Sequence, residues 1–141
     1  MPYAIAQDII DRYGDDALLI AADRNNDGVV DAAAVDRALA DATAEINVYV
    51  GRVEALPLTT VPEILVNLCV DIALYKVSNG LAATEAQRQR YEDAIALLKS
   101  IAKGEASLGL TDGSEEPEAD GLVEFDGPEK QFTRSSMNCL T

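Results

Sequence analysis

The stretch from Thr60 to Gly80, TVPEILVNLCVDIALYKVSNG, decides the fold. Ile64, Leu65, Leu68, Cys69, Ile72, Tyr75 and Val77 recur at helical spacing and cover more than half of a helix circumference. A helix that apolar must be enclosed on several sides, so it is expected at the centre of a bundle. Thr60 and Glu63 have capping-box spacing, which predicts Thr60 as the N-cap with Pro62 tolerated in the first turn. The helix is expected to run to Ser78, where Asn79-Gly80 stops it.

Its partners lie on both sides in the sequence. Upstream, Val35, Leu39, Ala42, Ile46, Tyr49 and Val53 alternate fours and threes, widened by Ala38 and Val50, and predict a helix from an N-cap at Asp31 to Arg52. Leu56-Pro57-Leu58 then reads as an extended connector. Downstream, Thr84 to Gln87 is a second capping box opening a helix to Lys103, with Tyr91, Ile95, Leu98 and Ile101 or Ala102 inward and Gly104 as its stop. Two short helices precede all three. One covers Ala4 to Tyr13 with Ile5, Ile9, Ile10 and Tyr13 on one stripe and Gly14 as terminator; the other opens at Asp15 or Asp16 and carries Leu18, Leu19 and Ile20. The fold class is therefore all-α: a small antiparallel bundle of about five helices.

Composition agrees with a single aliphatic core. The chain has 141 residues, 48% of them hydrophobic, only 5% aromatic and none Trp. Charge divides it at Gly104. Residues 1–104 hold 16 acids and 9 bases, and residues 105–141 hold 9 acids and 2 bases, so each part contributes −7 to a net charge of −14. The first part is expected to be the helical domain, and the second an acidic, solvated tail with glycines and prolines through residue 128. The last stretch, residues 129–141, changes character: Phe132, Arg134, Met137 and Leu140 bring an aromatic, a base and two apolar side chains to the end of the chain, which suits a binding peptide better than a purely entropic tail.

Several function classes are excluded or weakened. A charge of −14 repels nucleic-acid phosphate and anionic lipid. No apolar run approaches about 18 residues, and the N-terminus has neither the basic nor the apolar region of a signal peptide, so no membrane association is expected. Cys69, set in an apolar run, and Cys139 make neither a metal clip nor a disulfide framework, which fits a reducing compartment. With no His, no base beside Ser135, Ser136 or Cys139, and no Lys in the Gly104 to Gly109 segment that would make it a phosphate loop, no enzymatic activity and no cofactor are expected.

The sharpest local pattern is Asp23-x-Asn25-x-Asp27-Gly28, with Val30 where calcium loops carry an aliphatic residue. In such a loop Asp23, Asn25 and Asp27 would offer side-chain oxygens, Val29 a carbonyl and Asp31 a water-mediated contact. The twelfth position, which should close the shell with a carboxylate, is Ala34. A polar turn, with Gly28 at positive φ and Asp31 capping the next helix, is the favoured reading. A calcium-responsive module, or a small acidic helical protein acting as a chaperone-like or regulatory partner of a basic surface, stands as the alternative.

Four segments together carry a family resemblance: Tyr3 to Gly14; Ala38 to Val50 followed by Arg52 and Leu56-Pro57-Leu58; Val61-Pro62 to Ala73; and Phe132 to Met137. In order and spacing the chain resembles a family of Mu-type phage and prophage structural proteins, which in turn is similar to the head–tail connector, or adaptor, proteins of tailed phages. The resemblance implies a subunit of the virion neck, assembled in the host cytoplasm, that forms a homo-oligomeric ring, usually of twelve, beneath the portal protein. It would bind the portal and a downstream neck or tail-completion protein, and DNA would pass without specific binding. The ending Asn138-Cys139-Leu140-Thr141 departs from the aromatic or Gly-Phe ending frequent in that family.

Overall fold

The computed structural model describes residues 1–23, 25–78 and 83–110. Five helices make up these residues, with no strand among them: α1 Ala6–Tyr13, α2 Asp15–Ala22, α3 Ala32–Val50, α4 Glu63–Val77 and α5 Glu85–Ala102. The all-α bundle read from the sequence is the observed fold. The tail predicted beyond residue 104 lies outside the described residues from 111 onward.

The apolar circumference of α4 has the expected consequence: this helix packs against each of the other four. Leu65, Leu68, Cys69, Val70, Ile72, Ala73, Leu74 and Val77 are all buried on it. Facing them are Val35, Leu39, Ala42, Ile46 and Val50 of α3, Ala94 and Leu98 of α5, Ile9 of α1, and Leu18 and Ala22 of α2. Each fully buried Ile, Leu or Val contributes about 1.5–3 kcal/mol over its exposed state, so this aliphatic cluster is the main source of stability.

Local chemistry sets the helix ends. Asp31 caps α3 by accepting a hydrogen bond from the Ala34 amide at 3.1 Å. Thr84 and Gln87 form the predicted capping box, each side chain accepting from the other's backbone N–H at 3.2 and 2.9 Å. Gly14, at φ +85°, joins α1 to α2 in a conformation a side chain would strain.

Four expectations need correction. The capping box at Thr60 does not form: α4 starts at Glu63 with Pro62 as its N-cap and no side-chain cap. Pro62 pushes the residue before it toward extended backbone, which holds Thr60 and Val61 outside the helix and out of capping reach. The α3 stripe ends one turn early, because the helix stops at Val50; Val50 is buried and Val53 is 43% exposed. Ile64, in the first turn of α4, lies on the exposed side at 39%. The first helix also begins at Ala6 rather than Ala4, its start fixed by the Asp8 carboxylate accepting from the Ile5 amide at 2.7 Å.

Candidate functional site

The 23–31 loop uses its carboxylates on its own backbone. Asp23 accepts from the amides of Asp27 and Gly28 at 3.1 and 2.9 Å, and Asp27 accepts from Val29 at 2.9 Å. Asp31 is engaged as the α3 cap, Asn25 is exposed, and Ala34, at the position that should close a calcium shell, is buried. Gly28 takes φ +76°, as a tight polar turn requires. Among the described residues no group of three or more His, Cys, Asp or Glu side chains is arranged to hold a metal.

Two polar clusters tie the helices together at their seams. At one, the Tyr91 hydroxyl of α5 donates to Glu45 of α3 at 3.0 Å, and Lys76 of α4 pairs with the other oxygen of Glu45 at 2.9 Å. Tyr75 stacks on Tyr91 with ring centroids 4.5 Å apart. Burial, with the hydrogen bond to the Glu45 carboxylate, pushes the Tyr91 hydroxyl up to about 12. At the other, Tyr13 donates to Asp71, and Arg12 lies 3.7 Å from the second Asp71 oxygen. The Arg90 guanidinium sits 4.9 Å from the centre of the Tyr13 ring, a cation–π contact linking α5 to α1. Burial, first, and the Asp71 hydrogen bond raise the Tyr13 hydroxyl above its ordinary range.

The third feature is an open apolar groove of about 570 Å³ between the N-terminus and the α3–α4 connection. Met1, Pro2, Tyr3, Leu56, Pro57, Leu58 and Val61 line it, with Asn47 as its polar contribution. Its floor is held firmly. The Tyr3 amide donates to the Thr43 hydroxyl at 3.1 Å, the Tyr3 hydroxyl donates to Asn47, and Thr43 donates in turn to the Leu39 carbonyl at 2.9 Å. The connector read as extended contains a cis Leu56–Pro57 bond. The Leu56 side chain folds back over Gly51, where an added Cβ would meet it at 3.1 Å and the Asn47 carbonyl at 2.9 Å. Gly51 is thus needed for close approach. Met1, Leu56 and Val61 remain substantially exposed, which is unusual for three apolar residues on one concave face.

Beneath the groove, Cys69 is fully buried, its sulfur 3.6 Å from the Thr43 hydroxyl. Burial raises its thiol above the usual range, which suits a packing residue and not a nucleophile. No helix among the described residues is long and apolar enough to cross a membrane.

The tail residues Phe132, Arg134, Met137 and Leu140 lie outside the described residues. The groove and the two seam clusters were not singled out from the sequence. Their only sequence signal is a charge on an otherwise apolar helix, Asp71 and Lys76 on α4, with tyrosines at the edges of apolar stripes.

The chain matches the family described as Bacteriophage Mu, Gp36 over residues 3–126. It is 43% identical over 91 residues to the Mu-like prophage FluMu protein gp36 of Haemophilus influenzae, a match covering 64% of each chain. It is 31% identical to gene product J of Escherichia phage Mu over 99% of this chain and 100% of that one. The chain thus spans just under two thirds of the Haemophilus relative and the whole of the phage Mu one.

Proposed function

We propose, from the premise that this chain belongs to the Bacteriophage Mu, Gp36 family, that it is a structural subunit of the virion neck, a head–tail connector that forms a ring under the portal. The observation that supports the reading is the fold: a five-helix all-α body on a chain of this family.

Charge supports it. A subunit lining a path for DNA should not grip phosphate, and a chain with 25 acids against 11 bases repels it. The seams support it too. Tyr91, Glu45 and Lys76 on one side, and Tyr13, Asp71 and Arg90 on the other, lock the helices into a stiff body that can present fixed surfaces to neighbours. The polar residues at the two seams serve structural hydrogen bonds and ion pairs, and the role proposed here is assembly, with no catalysis and no cofactor.

In this reading residues 129–141 are the contact segment. Phe132 and Met137 supply apolar area, Leu140 extends it, and Arg134 pairs with a partner carboxylate. Many copies in a ring make individually weak anchors sufficient. The test is to delete the gene from a phage of this type and count particles by electron microscopy. Filled heads and complete tails that fail to join are expected. Normal virions would overturn the connector role.

A further inference from the structure

We draw no further inference here: the strongest candidate, the apolar groove between the N-terminus and the α3–α4 connection lined by Met1, Tyr3, Leu56, Leu58 and Val61, is an unpartnered apolar face, and nothing in the structure shows what covers it.

Discussion

Tyr91 of α5 donates its hydroxyl hydrogen to Glu45 of α3, placing the one polar bond between these helices beside a stacked pair of tyrosines. The hydroxyl is held neutral to a pH of about 12, whereas in an unfolded chain it ionises near its ordinary value of 10.0. The folded state therefore keeps a proton that the unfolded state loses. The contribution is fully present below pH 10 and is lost as pH rises from there toward 12. Alkaline titration followed by phenolate absorbance is expected to show one tyrosine ionising last, and Tyr91→Phe is expected to remove that late step. The same substitution should cost about 1 kcal/mol at neutral pH through the lost hydrogen bond.

The second seam separates two kinds of electrostatic contact. Asp71 accepts from the half-buried Tyr13 hydroxyl, while Arg12 reaches it only at 3.7 Å from a partly exposed position. Asp71→Ala is expected to destabilise by about 1.5 kcal/mol, because it leaves a half-buried hydroxyl without its acceptor. Arg12→Ala should stay within about 0.5 kcal/mol. Urea unfolding of the two variants side by side checks the ordering, and a larger effect for Arg12→Ala would contradict it.

Core geometry predicts an equally sharp contrast. Ile72 on α4 is fully buried, whereas Ile20 on α2 is 79% exposed. Ile72→Ala is expected to cost about 3–4 kcal/mol, part transfer and part cavity. Ile20→Ala should be close to neutral. Thermal melts suffice to read the difference.

The two capping sequences test helix starts directly. Thr84→Ala removes a side-chain acceptor for the Gln87 amide and should cost about 1 kcal/mol. Thr60→Ala, in the sequence that looks just as good, should change stability by less than about 0.5 kcal/mol, since α4 begins only at Glu63. Equal losses would put the start of α4 back at Thr60.

Calcium should leave the protein unmoved. The carboxylates of Asp23 and Asp27 are engaged by loop amides, and Ala34 supplies no closing oxygen. Millimolar calcium is expected to produce no rise in melting temperature beyond that produced by magnesium at equal ionic strength. A selective rise would revive the calcium-responsive reading.

What the sequence disclosed follows from the range of the forces involved. Periodicity is a local property, so five helices, the central place of α4 and the caps at Asp31 and Thr84 were all legible. Where a local rule met a second local rule the outcome depended on which was stronger: Pro62 overrode the pairing of Thr60 with Glu63. The exposure of Val53 and Ile64 was hidden because helix spacing says which residues share a face and not where a helix stops short of its neighbour. The groove was hidden for a further reason. Met1, Tyr3, Asn47, Leu56 and Val61 come from three separated stretches, and only the folding of the N-terminus against α3 brings them together. The family, by contrast, was legible from the order of short segments that are unspecific one at a time.

The enclosure of α4 has a consequence for the order in which the molecule is built. Synthesis delivers α1, α2 and α3 before the helix they all pack against, so the first half of the chain leaves the ribosome with its apolar faces open. Only when residues through Val77 have emerged does a closed interior exist for any of them, and α5 then arrives to cover the remaining side. A chain truncated before α4 is accordingly a sticky fragment and not a smaller version of the protein.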